Sequence, residues 1–116
     1  MHSVRIHSNA ARADGSIPYV SARMIDDARL QLNLDDLDPG LNGVSFCLTL
    51  ANVYHLLEGK SLCLQLPLVD CLLTPDNREL RLDVQIEGAQ GHLAYPLALS
   101  ELALAWNMMR TGPSLF

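Results

Sequence analysis

Apolar and polar residues alternate along much of this chain, which is the pattern of strands that bury one face. The clearest run covers 80–87, where leucine, valine and isoleucine hold the even positions and charged or polar residues the odd ones. Shorter alternating or extended runs lie at 4–7, 17–24, 28–34, 44–50, 62–66, 68–73 and 93–99. The pattern therefore predicts a chain dominated by antiparallel β-structure.

Two segments show helical spacing instead. Residues 51–58 are followed by Gly59, the residue type that most readily ends a helix. Residues 101–110 follow Ser100, a good N-cap, and carry Glu101 in the first turn, where the helix dipole favours an acid. We expect a short middle helix and a C-terminal helix.

Turn residues separate the predicted strands. Thr74-Pro75-Asp76-Asn77 predicts a turn with Pro75 at its first central position, and Gly88-Ala89-Gln90-Gly91 predicts a second turn. No internal repeat is visible in the sequence. The prediction is one α+β domain over 1–116, with an antiparallel sheet of about five to seven strands and both helices packed on it. Residues 1–16 are expected to be partly flexible.

Composition narrows the choice of partners. The net charge is −5, and the basic residues are scattered, which argues against nucleic acid or an anionic membrane as partner. No apolar run is long enough to cross a bilayer, and the first residues lack the order of a signal peptide. We expect a cytoplasmic protein. Hydrophobic residues make up 49% of so small a chain, so an apolar face is expected to be covered by a partner.

Motifs for metal binding or catalysis are absent from the sequence. The acidic loop at 35–42 lacks the spacing of a calcium loop, and the histidines lack zinc-ligand spacing. Cys47, Cys63 and Cys71 form no CxxC pair and are expected to be buried free thiols. We therefore expect no cofactor, and these observations favour a binding protein over an enzyme.

One acid stands in an unusual place. Asp70 interrupts the apolar run at 68–73, where a buried unpaired charge would be costly. Alternation with Val69 and Cys71 predicts that it lies on the solvent face of a strand. If it were buried, Arg81 would be its expected partner.

The first functional hypothesis concerns the C-terminal helix, whose apolar residues cover most of its circumference. It is a non-catalytic interaction module, a homodimer or a binder of another protein, that uses this helix or a strand edge. The predicted interface residues are Leu102, Ala105, Trp106 and Met109. The alternative for the same residues is a core helix packed on its own sheet.

The second hypothesis is a small-ligand-binding protein or an enzyme with a pocket between sheet and helix. Its predicted lining residues are Tyr54, His55, His92 and Tyr95, together with Trp106. A bound ligand would stabilise the protein, whereas an interaction module would change its oligomeric state when the helix is mutated.

In its small size, its acidity, its predicted antiparallel strands and the apolar helix at 101–110, the chain is loosely similar to the dimeric chaperones of bacterial secretion systems. The resemblance implies a dimer that binds another protein. Those chaperones usually begin with a helix, whereas this chain begins with strand and loop signals.

Overall fold

The computed structural model describes residues 3–26, 28–88 and 93–111, and for 108–111 it describes the backbone alone. Within these residues the chain forms eight β-strands, two α-helices and a short 3-10 turn at Pro39–Leu41. The predicted α+β class and the two predicted helices are confirmed.

The elements follow one another in the order of four strands and a helix, and then again four strands and a helix. The first half comprises β1 (Ser3–His7), β2 (Tyr19–Met24), β3 (Arg29–Asn33), β4 (Ser45–Thr49) and α1 (Leu50–Leu57). The second half comprises β5 (Leu62–Leu66), β6 (Val69–Asp76), β7 (Glu79–Ile86), β8 (Leu93–Ala98) and α2 (Leu99–Thr111).

The prediction of a single sheet of about five to seven strands is corrected by this arrangement. The strands divide into two four-stranded antiparallel sheets, β1-β2-β3-β4 (sheet 1) and β5-β6-β7-β8 (sheet 2). Alternation shows which face of a strand is buried but not which sheet the strand joins. The helix between β4 and β5 prevents these two strands from continuing as a hairpin, so a second sheet begins after it.

The two halves match in the way each last strand enters its helix. Leu48 and Leu97 are buried two residues before the first helical residue of α1 and α2. On α1 the buried residues are Val53 and Leu56, and on α2 the equivalents at the same spacing, Leu102 and Ala105, are buried too. The structure thus repeats an order that the sequence does not reveal.

Both sheets and both helices contribute to one hydrophobic core. On one side the sheets also meet through the backbone, because Ser8, just after β1, bridges to Leu97 of β8. The Asn9 N–H donates to the Pro96 carbonyl at 2.6 Å. This contact closes the side of the molecule where β1 and β8 lie.

The turn predicted at 74–77 lies two residues later than expected. β6 extends to Asp76 and β7 begins at Glu79, so the turn residues are Asn77 and Arg78, with Asn77 at φ 58°. Pro75 lies within β6 opposite Leu80, beyond Leu73, the last β6 residue that pairs with β5. Because β5 has already ended there, proline disrupts no pairing on that side.

Candidate interaction site

β5 is an open edge of sheet 2. It pairs with β6 on one side, and among the described residues no strand pairs with its other side. Its inward residues are Leu62, Leu64 and Leu66, and each is only partly buried. Cys63 and Gln65 point to the opposite face and are exposed. An apolar edge strand of this kind, without a charged residue, is a template for another strand.

β4, the edge of sheet 1, differs although it has the same length. Its inward residues, Phe46 and Leu48, are buried, and its outward residues, Ser45, Cys47 and Thr49, are exposed. The apolar side chains of β4 are therefore covered within the chain. Those of β5 retain contact with solvent.

Ladder geometry determines which backbone groups of β5 face outward. A two-residue turn, Pro67-Leu68, joins β5 to β6, and Leu66 pairs with Val69 across it. The closing pair of such a hairpin exchanges hydrogen bonds, and bonded and non-bonded pairs then alternate. The N–H and C=O groups of Cys63 and Gln65 consequently point away from β6, toward the open side.

The tip of this hairpin is apolar and conformationally unusual. Leu68 has φ 70°, a left-handed conformation that glycine normally adopts at the second central position of such a turn. Its side chain is 69% exposed. A hydrogen bond fixes this turn to the residue after β7, because the Glu87 N–H donates to the Leu68 carbonyl at 2.8 Å. A large aliphatic side chain is thus held in solvent beside the open edge.

A groove of about 480 Å³ lies between this hairpin and the start of β4. Its apolar lining includes Val44, Leu66, Val69 and Ile86. Residues of both sheets line it, since Ser45 begins β4 of sheet 1 and Val69 begins β6 of sheet 2. The open edge and the groove are contiguous, since Leu66 belongs to both.

A cluster of polar side chains joins β1 to α2. The His7 N–H donates to Glu101 Oε1 at 2.9 Å, and the His7 ring Nδ1 lies 3.1 Å from both carboxylate oxygens. The His7 ring also lies 5.8 Å from the Tyr19 ring, over which the Arg5 guanidinium stands at 4.6 Å. Because the carboxylate receives both the backbone and the ring of His7, this cluster anchors the start of α2 to β1.

The structure distributes the predicted interface residues between core and surface. Leu102 and Ala105 are fully buried in the core of their own chain, so neither is available to a partner of the folded protein. Trp106 is partly buried and stacks on Tyr54 of α1, with ring centroids 6.2 Å apart. The Met109 side chain lies outside the described residues. Among the α2 side chains that the structure describes, Leu104 is a large apolar one that is exposed, at 53%.

The predicted pocket residues do not converge on one site. Tyr54 contacts Trp106, whereas His55 Nε2 lies 3.1 Å from the carbonyl of Ser61, the residue before β5. Tyr95 faces Asp38, and burial, with the nearby carboxylate, raises the pKa of Tyr95 to about 12. His92 lies outside the described residues.

All three cysteines are free thiols as predicted, but the predicted burial is correct for only one of them. Cys71 is buried, and burial raises the pKa of its thiol to about 11. Cys47 and Cys63 are exposed, because each lies on the outward face of an edge strand. Strict alternation with Phe46 and Leu48, and with Leu62 and Leu64, would have placed both outside.

The acidic loop uses its carboxylates to shape its own backbone. Asp38 Oδ1 accepts the Gly40 N–H at 2.8 Å, and Asp35 Oδ1 accepts the Gly43 N–H at 2.6 Å. Among the described residues, no three His, Cys, Asp or Glu side chains lie together as a metal site would require. Asp70, as predicted, is exposed on the solvent face of β6.

Comparison with known proteins does not assign the chain. No protein-family model matches it, and neither a curated protein nor a solved structure does. The resemblance to secretion chaperones therefore gains no support from these comparisons. Neither helix, within the residues that the structure describes, has the length and apolarity needed to cross a membrane.

Proposed function

We propose that this chain is a non-catalytic protein-interaction module that self-associates by pairing β5 with β5 of a second copy. The observation that carries the proposal is the partial exposure of Leu62, Leu64 and Leu66 on an edge strand. Their counterparts on β4, Phe46 and Leu48, are buried within the chain. A second copy of β5 would cover these leucines as the chain itself covers those of β4.

The outward backbone groups support an antiparallel pairing centred on Leu64. In that register Cys63 lies opposite Gln65 of the second copy, and Leu62 lies opposite Leu66. The two copies are then related by a two-fold axis, which uses the same surface twice and closes the assembly at a dimer. Sheet 2 becomes one sheet that spans both copies.

The expected association is weak and depends on concentration. Covering a fully exposed leucine stabilises a complex by roughly 1.5 to 3 kcal/mol, and the β5 leucines are already partly buried. Association also costs several kcal/mol of lost translational and rotational freedom. We therefore expect a monomer–dimer equilibrium rather than an obligate dimer.

Sedimentation equilibrium over a range of protein concentrations tests the proposal. Leu64→Lys should weaken dimerisation by at least about tenfold, because it places a charge in the centre of the paired strands. Leu104→Lys is the matched control, since Leu104 is an exposed leucine on α2. If Leu104→Lys weakens the dimer and Leu64→Lys does not, the interface lies on the helix. A wild-type protein that stays monomeric at every concentration overturns the proposal.

A second candidate function, binding of a small apolar ligand, is favoured by the groove beside Leu66. Its volume of about 480 Å³ falls within the range of small-molecule sites. Native mass spectrometry separates the two functions: an added mass on a monomer favours the ligand, and a dimer without added mass favours β5 pairing. Val44→Lys should remove the added mass and leave dimerisation unchanged.

A further inference from the structure

The outer face of sheet 2 combines negative charge with exposed leucine. Its acidic residues are Asp70 and Asp76 on β6 and Glu79 and Asp83 on β7. Its one basic residue, Arg81, is held within the face, with Nε 3.1 Å from both Asp83 carboxylate oxygens. The face as a whole is therefore negatively charged.

A groove of about 400 Å³ crosses this face. Leu72 lies in it, 40% exposed, with Cys63 and Asp83 as its cross-strand neighbours. Asp70 and Gln85, which pair with one another across β6 and β7, line the same groove. An aliphatic side chain is thus exposed in the middle of a sheet, with Asp83 beside it on β7 and Asp70 two residues before it on β6.

A smaller depression of about 160 Å³ continues the groove toward the β5–β6 hairpin. The two share Asp70 and Gln85, and the smaller one adds Leu68 and Glu87. The combined groove has exposed leucines toward its two ends, Leu72 and Leu68, and a carboxylate beside each of them. It alternates apolar and acidic groups along its length.

The outer face of sheet 1 lacks both features. Three of the outward residues of its four strands are basic, Arg5, Arg23 and Arg29. No outward residue of these strands is acidic. Its strands also have no exposed large aliphatic residue, since Ile17 and Ile25 lie just outside β2. The combination on sheet 2 is therefore not a general property of the outer surfaces of this chain.

We propose that the groove from Leu72 to Leu68 binds a basic segment of a partner protein, one that carries large aliphatic side chains among its lysines or arginines. The aliphatic groups contact Leu72 and Leu68, and the cationic groups meet Asp70 and Glu87, since Asp83 is already paired with Arg81. Charge selects this occupant, because an acidic segment would face several carboxylates and one guanidinium that is already bound to Asp83. The groove is complete within one chain, so the proposal does not depend on β5 pairing.

Fluorescence anisotropy with a labelled peptide of alternating leucine and lysine tests the binding. We expect the full-length chain to bind this peptide, with an affinity that falls as salt is added. The control peptide alternates leucine and glutamate and should not bind. Equal binding of both peptides, or of neither, overturns the proposal.

Single substitutions locate the site. Asp70→Asn and Leu72→Ser should each weaken binding of the lysine peptide by about tenfold. The matched control is Asp14→Asn, which removes an exposed acid from the loop between β1 and β2. If Asp14→Asn weakens binding as much as Asp70→Asn, the peptide responds only to overall charge and the groove is not its site. An unchanged affinity in Leu72→Ser overturns the apolar part of the proposal.

Two further measurements separate this inference from self-association. In the Leu64→Lys background the peptide should still bind, because Leu64 does not line the groove, to which β5 contributes only Cys63 and Leu66. A second copy could also supply basic groups from the outer face of its sheet 1. If Arg23→Gln abolishes a salt-sensitive oligomer in the absence of peptide, that face is the occupant and the proposal of a separate partner fails.

Discussion

The two sheets of this protein bury apolar residues at matching positions, but their outer faces differ in charge and in exposed apolar residues. In both, the strand before the helix buries a leucine, Leu48 or Leu97, and the helix buries two residues at the same spacing. Outside, sheet 1 presents basic and neutral polar residues, and the apolar side chains of its edge strand β4 are buried. Sheet 2 presents carboxylates, exposed Leu72 and an edge whose leucines are only partly buried.

The difference shows where each half is constrained. The inner residues of both halves fill one core, and close packing leaves little freedom there. The outer faces have no such requirement, so they can diverge while the order of elements persists. Because the exposed apolar groups of the strands are concentrated on sheet 2, we assign both proposed interactions to that half.

The largest expected effect tests whether the buried leucines before the two helices contribute equally to stability. Leu48→Ala and Leu97→Ala should each lower the free energy of unfolding by about 2 to 5 kcal/mol, because each leaves a cavity in the shared core. Urea unfolding measures both losses. Leu104→Ala, at an exposed position, should change the free energy by no more than about 0.5 kcal/mol. A loss at Leu97 several times the loss at Leu48 would mean that the two junctions are not equivalent.

The next effect concerns the two edges. Gln65→Pro removes an N–H that points to the open side of β5, so it should weaken dimerisation by at least about tenfold while β5–β6 pairing persists. Cys47→Pro makes the corresponding change on β4. The Leu34 N–H donates to the Val44 carbonyl, and hydrogen-bonded pairs alternate along the ladder from there, so the N–H of Cys47 points away from β3 to the open side. Sedimentation of both variants compares the edges. Equal weakening in the two would show that β5 is not the specific interface.

Much of this contrast could be anticipated from the sequence, because period-two alternation is a local signal. It placed the strands, and it placed Asp70 on the solvent face. The same rule places Cys47 and Cys63 outside, and in these two residues it overrides the general preference of cysteine for the interior. Alternation could not show that β4 and β5 belong to different sheets, since that depends on how α1 packs against both.

The C-terminal helix illustrates the limit of a composition argument. Leu102 and Ala105 were predicted at an interface because the helix has more apolar residues than one sheet face can cover. In the structure α1 supplies the additional cover, through contacts such as Tyr54 with Trp106. Contacts between residues so far apart in the chain leave no local pattern. The open edge of β5 could not be predicted as a specific site for the same reason. Whether a strand lies at an edge depends on which other strands pair with it, and that is not visible in its own sequence.

A smaller effect compares a polar contact that joins the two halves with an ion pair inside the second half. Glu101→Gln should lower the free energy of unfolding by about 1 kcal/mol, because Glu101 joins α2 to both the backbone and the ring of His7. Asp83→Asn alters a pair between neighbours on one strand, Arg81 and Asp83, and should cost about 0.5 kcal/mol or less. Thermal unfolding of the two variants provides the comparison. Equal losses would show that a contact between distant elements stabilises the fold no more than a contact between neighbours on one strand.

The smallest expected effect comes from a contact between the halves, Tyr95 of β8 with Asp38 of the loop after β3. Burial raises the pKa of Tyr95 to about 12 from its usual value of 10.0, so the folded state holds the phenolic proton more tightly than the unfolded state does. The resulting stabilisation is present below pH 10 and is lost as the pH rises toward 12. Tyr95 is partly exposed, so solvent limits the size of this loss. Urea unfolding across this pH range should show a steeper fall for the wild type than for Tyr95→Phe, and identical slopes would mean that folding does not raise the pKa of Tyr95.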